Sequence, residues 1–151
     1  MRKIKLTQGK YTIVDDNDFE RLNQWKWCYN SWGYAKMGQN YKTILMHRLI
    51  MKTPEGMETD HINGDRLDNR RSNLRICTNA QNHWNRKKQK NNTSKYTGIR
   101  WHKEGKKWEA TVQFNKKKIY LGLFKNKTEA AKNYNQKARE LFGEFASLNK
   151  I

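Results

Sequence analysis

The sequence predicts an α+β fold in small pieces: a β-rich N-terminal unit, a strand–loop–strand–helix core, and a C-terminal three-stranded antiparallel sheet packed on one helix. Three observations carry this. Apolar residues are 35% of the 151, against ~45–50% in an ordinary globular chain, too few for one large core. The deficit is met by aromatic plugs: six Trp, seven Tyr and five Phe suit small sheets. Short β-rich runs separated by Gly, Asn and Ser recur along the chain, and a long helical period appears only near the C-terminus. The expected organisation is a β-rich unit over residues 1–56, a core over 57–86, a basic linker over 87–95 and a second module over 96–151.

In the first unit Ile4 and Leu6 alternate with lysines, and Tyr11 to Val14 is a β-rich run. Asp15 is placed to cap a short helix through Leu22, with Asp16 and Asp18 in its first turn. Strands are expected over Trp25 to Tyr29, Gly33 to Lys36 and Tyr41 to Met46, with Trp25, Trp27, Trp32 and Tyr34 as packing residues. His47 to Met51 reads as a short helix turning Leu49 and Ile50 inward, His47 being structural; Pro54-Glu55-Gly56 closes the unit. In the core, Asn63-Gly64 favours a type I′ hairpin turn. Thr78 and Gln81 form a T-x-x-Q capping box, so a helix begins near Asn79.

The run from Arg86 to Lys95 carries five basic residues, no acid and nothing apolar. It reads as an arm along phosphates, led by Arg86, Lys87 and Lys88. In the second module strands fit Gly98 to His102, Trp108 to Asn115 and Lys118 to Phe124. A helix follows from about Lys127 to Phe142, opened by Asn126 and Glu129 and stopped by Gly143. Ala130, Ala131, Tyr134, Ala138 and Leu141 share one helical face, and the alanines allow close approach to the sheet. The other face of the sheet is expected to carry Arg100, His102, Trp108, Lys118 and Tyr120, cations interleaved with flat rings.

Charge narrows the function. Thirty-two basic against 14 acidic residues give +18, which points to a polyanionic partner, most often nucleic acid. Two distant cysteines, Cys28 and Cys77, exclude a zinc ribbon and argue against a disulfide framework. No signal peptide and no apolar run of membrane-spanning length are seen, so the expected place is the cytoplasm, with no membrane partner.

Asp60-His61 before a tight turn, with Asn82 in the following helix, suits phosphodiester hydrolysis. A histidine near neutrality can take a proton from water. Carboxylate and amide oxygens suit Mg2+ or Mn2+, which also take water and substrate oxygens. His61 is therefore the base candidate, and Asp60 and Asn82 the metal-ligand candidates. Neighbours on a regular strand point to opposite faces, so both can serve one site only if the strand ends or twists there. Singly, each residue reads more readily as turn or helix-surface chemistry than as function; their joint arrangement is the signal.

Leu45-Met46-His47-Arg48-Leu49, Asp60-His61-Ile62-Asn63-Gly64, Asp68-Asn69-Arg70, Ser72-Asn73-Leu74-Arg75 and Thr78-Asn79-Ala80-Gln81-Asn82 together resemble the HNH endonucleases, more narrowly phage-type homing enzymes with a ββα-metal core. The resemblance implies His61 as the residue that activates water, Asp60 and Asn82 as metal ligands, and Asn73 as the residue orienting the His61 loop. His83 would sit about 100° round the helix from Asn82, which is preferred as the ligand. Tyr96-Thr97-Gly98-Ile99-Arg100, Lys107-Trp108-Glu109-Ala110, Tyr120-Leu121-Gly122-Leu123-Phe124 and Glu129-Ala130-Ala131 are similar to the plant Apetala-type (ethylene-response-factor) DNA-binding domain. That likeness implies a sheet entering the major groove through Arg100, His102, Trp108, Thr111, Gln113, Lys118 and Tyr120. His102, Gln113, Lys118 and Tyr120 depart from that family's Arg or Trp, so no sequence preference carries over.

The expectation is a metal-dependent endonuclease of homing type acting on double-stranded DNA and nicking one strand, as monomer or homodimer. The alternatives are a non-catalytic DNA-binding regulator and a basic RNA-binding protein; the first is disfavoured because Asp60, His61, Asn73 and Asn82 are all present.

Overall fold

The computed structural model describes residues 1–85 and 94–151. Arg86, Lys87, Lys88 and the rest of the expected arm through residue 93 lie outside the described residues. The fold is mixed α+β, and its contacts divide the chain into two compact units, Met1–His83 and Trp84–Ile151. Among the described residues no helix is long and apolar enough to cross a membrane.

The first unit opens with β1 (Arg2–Lys5) paired antiparallel with β2 (Tyr11–Val14), Ile4 opposite Thr12. Ile4, Thr12 and Val14 are buried while the lysines of β1 stay in solvent, so the period-2 pattern sets the face. In α1 (Asp16–Asn23) Phe19 and Leu22 turn to the core. Asp15 does not cap this helix with its side chain; its Oδ2 instead accepts from the Arg71 backbone N–H at 2.8 Å. Buried Asp18 accepts from Arg71 Nε at 2.7 Å and Arg21 Nη2 at 2.9 Å. Burial alone would raise the Asp18 pKa, but these bonds outweigh it and hold it below the usual carboxylate value.

Strands β3 (Cys28–Tyr29), β4 (Ala35–Gln39) and β5 (Lys42–Leu45) form an antiparallel sheet in that order. The β4–β5 turn is of type I′: Gln39 pairs with Lys42, and Asn40 and Tyr41 between them both have positive φ. Trp27 is buried and Trp25 and Tyr34 are half-buried, but Trp32 is 73% exposed. Trp32 lies outside the strands, where the Asn30 side chain turns the backbone by accepting from the N–H groups of Trp32 and Tyr34. That turn carries the indole off the sheet and away from the core.

Helix α2 (Met46–Met51) buries Met46, His47 and Ile50, leaving Leu49 half-buried. It is followed by β6 (Glu58–His61) and β7 (Leu74–Cys77), antiparallel with Asp60 opposite Arg75, and by α3 (Asn79–Trp84). One cluster joins Ile4, Leu6, Val14, Leu22, Trp27, Met37, Met46, Ile50 and Leu74, with Leu67 packed against it. Residues before and after Pro54 thus share a core.

The long loop between β6 and β7 docks on β2. Ile13 N–H donates to Leu67 O at 2.8 Å, Asn69 N–H donates to Ile13 O at 2.8 Å, and Ile13 pairs with Asp68 in a parallel bridge.

In the second unit β8 (Ile99–His102), β9 (Lys107–Phe114) and β10 (Lys117–Phe124) form an antiparallel sheet with β9 central. A second I′ turn, Asn115-Lys116, joins β9 to β10. Helix α4 (Lys127–Phe142) is capped by Asn126 Oδ1, which accepts from Thr128 N–H at 2.8 Å. Its Ala130, Ala131, Tyr134, Ala138 and Phe142 meet Ile99, Ala110 and Val112. Contact is close at Gly98, whose φ is +72°: a Cβ there would stand 2.3 Å from Thr111 O and 2.4 Å from the Tyr134 ring.

Two outcomes follow from this packing. Gly98→Ala combines a left-handed backbone with overlap against backbone and ring, and should destabilise the second unit by about 3 kcal/mol or more; urea unfolding of the full chain measures this, and a wild-type midpoint would refute it. His47 is buried with its ring 4.9 Å from Tyr34 and 5.0 Å from His61. Burial first, then the charges of His61 and Arg48, push its pKa down to about 3 from the usual 6.5. The unfolded chain therefore takes up a proton here that the folded chain refuses. Stability should fall as pH drops below 6.5 toward about 3, by up to about 1.4 kcal/mol per pH unit from this group. His47→Phe should flatten that slope in urea titrations at pH 7 and pH about 4.5, since it removes this group's proton uptake on unfolding.

Candidate active site

Strand β6 ends at His61. Gly64 N–H donates back to His61 O at 2.8 Å, closing a turn over His61–Gly64 in which Gly64 alone has positive φ, +69°. The two-residue I′ hairpin expected at Asn63-Gly64 is therefore absent: that turn needs both central residues left-handed, and Asn63 is not. The chain instead makes a long loop before β7. Asn63 organises its start. Its Oδ1 accepts from Asp65 N–H at 2.7 Å, and its Nδ2 donates to Asp68 Oδ2 at 3.0 Å.

Asn73 closes the loop from the other side. Its Oδ1 accepts from Asn63 N–H at 3.0 Å, its Nδ2 donates to Asn63 Oδ1 at 3.1 Å and Asp68 O at 2.8 Å, and its carbonyl accepts from Ile62 N–H at 2.9 Å. Both ends of the amide are thus used in shaping the loop, and Asn73 is a positioning residue.

Asp60 and His61 are both buried. Asp60 Oδ2 accepts from Arg75 Nε at 3.0 Å and Nη2 at 2.8 Å, a fork across directly paired strand positions. His61 Nε2 lies 3.0 Å from Asn69 Oδ1. Its ring stands 5.0 Å from His47, edge-on, and 5.9 Å from Tyr34. Burial lowers the His61 pKa below the usual histidine value, against the upward pull of the Asn69 bond and of the Asp60, Asp65 and Asp68 charges. The imidazole is neutral near pH 7 and can accept a proton.

Asn82 comes from the following helix. The capping box is formed: Thr78 N–H donates to Gln81 Oε1 at 2.8 Å, and Gln81 N–H donates to Thr78 Oγ1 at 3.2 Å. Asn82 N–H closes the first turn on Thr78 O at 3.0 Å. Asn82 is half-buried and His83 exposed, so Asn82 is the inner of the two. Asp60, His61 and Asn73 are held by bonds within the hairpin and its loop, whereas Asn82 is placed by its helix. Among the described residues no group of three His, Cys, Asp or Glu side chains could hold a metal. Asp60 and Asn82 are of donor types that suit a hard divalent ion, a carboxylate and an amide oxygen. Few protein oxygens beside water and substrate suit a hard divalent ion.

Four residues around Asp60 and His61 were given no site role from the sequence: Asn69, Arg75, Tyr34 and His47. Asn69 is visible there only as part of a motif. Arg75 is legible in principle, since it sits opposite Asp60 once the strands are registered. The ring contacts of Tyr34 and His47 bring elements remote in sequence against His61, and no local signal announces them.

The second unit offers a separate candidate surface. Directly paired residues share a face, so the pairs Arg100–Glu109, His102–Lys107, Gln113–Lys118 and Thr111–Tyr120 place these side chains on the face away from α4. Trp108 is a correction. It pairs with Trp101 on the helix side, ring centroids 5.0 Å apart, with the Lys127 ammonium 5.7 Å from its ring. Period-2 alternation within β9 puts it in step with buried Ala110 and Val112. On the open face buried Glu109 accepts from Arg100 Nη2 at 2.8 Å and Lys118 Nζ at 3.4 Å. The Arg100 bond, ahead of the opposing effect of burial, leaves the Glu109 pKa below the usual value.

The family model for HNH endonucleases matches residues 45–84, the stretch that holds β6, the loop, β7 and α3. An uncharacterized HNH endonuclease of Acanthamoeba polyphaga mimivirus is 31% identical over 150 residues, 95% of this chain and 77% of that protein. Protein 3.8 of Escherichia phage T7 is 36% identical over 93 residues, 62% of this chain and 76% of that protein. No solved structure matches the chain. With the family model on the hairpin–helix segment and an HNH endonuclease similar over 95% of this chain, the chain belongs to the HNH endonuclease family.

Proposed function

We propose that the protein is a metal-dependent DNA endonuclease of homing type that nicks one strand of duplex DNA, working in the cytoplasm. The observation that carries this reading is the buried Asp60-His61 pair at the end of β6, where it enters a loop shaped by Asn73. Neutral His61 is the general base: it takes a proton from the attacking water, a role typically worth ~10²–10⁴ in rate. Asp60 and Asn82 would hold Mg2+ or Mn2+. When bound, such an ion supplies Lewis-acid neutralisation of the phosphate and of the departing alkoxide. Arg75 holds the Asp60 carboxylate in a fixed orientation for that purpose.

One chain presents one such site, which favours a nick; a homodimer could cut both strands. DNA is gripped by the open face of the C-terminal sheet through Arg100, His102, Thr111, Gln113, Lys118 and Tyr120, in the manner of an Apetala-type domain, and along its phosphates by Arg86, Lys87 and Lys88. Trp108 supports this face from the helix side. Two cations on one buried carboxylate, Glu109, present positive charge in a set spacing.

Supercoiled plasmid with Mg2+ should become open circle, and with EDTA should stay supercoiled. His61→Ala should lose at least ~10²-fold in nicking rate while binding DNA with little change. Cleavage in EDTA would rule out the metal, and a fully active His61→Ala would rule out the base. Arg100→Ala should weaken duplex binding and lower the slope of log affinity against log salt by about one; unchanged affinity and slope would remove the sheet from the interface.

A further inference from the structure

We propose that Asn69 and Thr12 form a positioning relay that fixes the tautomer and ring orientation of His61, with the proton on Nε2 and the lone pair on Nδ1. The inference deepens the reading of His61 as general base and, for its catalytic part, rests on it.

The direction of each bond follows from one anchor. Thr12 Oγ1 lies 2.7 Å from the Leu67 carbonyl oxygen, which can only accept, so the hydroxyl proton of Thr12 is committed there. Thr12 Oγ1 can then only accept from Asn69, 2.7 Å away, so the Asn69 atom facing it is Nδ2. The other end of that amide, Oδ1, therefore faces His61 at 3.0 Å. An amide oxygen only accepts, so His61 Nε2 carries the proton and donates. The neutral imidazole is left with its lone pair on Nδ1, and Nδ1 is the nitrogen that takes the proton when the water O–H bond breaks, the new P–O bond forms and the bond to the leaving oxygen breaks.

Burial makes the relay directional. Thr12 is 0% exposed, Asn69 1% and His61 4%, so bulk water does not compete for these bonds. The relay is also tied into the backbone. Leu67 O accepts from Ile13 N–H, and Asn69 N–H donates to Ile13 O, so the loop is pinned at Leu67 and Asn69 to the β2 residue next to Thr12. Strand β2, remote in sequence from Asp60-His61, thereby becomes part of the catalytic apparatus. Asn73 acts differently. It shapes the loop, and its amide is spent on Asn63 and Asp68 rather than on the imidazole.

The test uses the full chain in two independent arms. The first is long-range ¹⁵N–¹H correlation of the imidazoles, with His61→Ala identifying the His61 signals. Wild type should show the Nε2-protonated pattern with a slowly exchanging N–H. Asn69→Leu and Thr12→Val should lose the exchange protection, and Thr12→Ser, which keeps the hydroxyl, should retain it. An Nδ1-protonated pattern in wild type, or protection unchanged in both Asn69→Leu and Thr12→Val, overturns the relay whether or not the protein cuts DNA. The second arm is single-turnover nicking. Asn69→Leu should slow the step about 10- to 100-fold with duplex affinity within about twofold of wild type. Thr12→Val should slow it about threefold to tenfold, and Thr12→Ser should restore it. Equal rates across the series would sink the catalytic part of the proposal. If wild type makes no cut while the first arm holds, the endonuclease reading fails and the relay stands as structure. Urea midpoints check folding; should Asn69→Leu unfold, the Thr12 pair still decides.

Discussion

The first unit depends on the docking of the β6–β7 loop against the edge of β2. A loop of this length between two four-residue strands would be mobile if left in solvent, because its ordering entropy is not recovered locally. Two backbone hydrogen bonds to Ile13, the Leu67 side chain in the core and the Thr12–Asn69 contact supply what it lacks. Arg71 adds a second tether to Asp15 and Asp18 of the first helix region. The N-terminal segment is thus the wall on which the site is built, and this is why it shares a core with the hairpin.

Given that wall, the polar residues of the site divide into those that shape the loop and those proposed to carry the chemistry. Asn63, Asp68 and Asn73 satisfy one another and the loop backbone, as the buried members Asp68 and Asn73 must. Asp60 and His61 face two different environments, a guanidinium fork on one side and a ring cluster with Asn69 on the other. The strand ends at His61, which is where alternation stops constraining the chain. The His47 and Tyr34 rings pack against the imidazole, and its burial lowers its proton affinity, which suits the proposed role of a base that is neutral before it acts.

The C-terminal sheet solves a different problem. A small unit with few apolar residues covers one sheet face with an alanine-lined helix and leaves the other open. Glu109 at the centre of that open face is buried yet charged, and Arg100 and Lys118 offset the cost of its burial. The same pairing sets the cations at a defined spacing instead of leaving them as free side chains.

Much was legible in the sequence because it is local. The capping box at Thr78 and Gln81, the alanine face of α4, the Asn126 cap and the period-2 burial of β1 follow from residue type and spacing. Asp60, His61, Asn73 and Asn82 were grouped through the resemblance to one family motif, and all four lie in the stretch the family model matches. What local pattern could not decide was how the loop after His61 runs, since Asn63-Gly64 supports a tight hairpin as readily as an Asx turn, and only the pull of Asn73, Asp68 and Ile13 chooses. Nor could it decide which side of the sheet holds Trp108, or that Trp32 is exposed; a one-residue phase in a strand inverts every face. Composition, charge and motif determined that this chain belongs to a family of nucleases. Tertiary structure alone decided which groups hold His61, because Tyr34, His47 and Asn69 meet it, and Thr12 meets Asn69, through contacts whose partners are separated along the chain and carry no local periodicity.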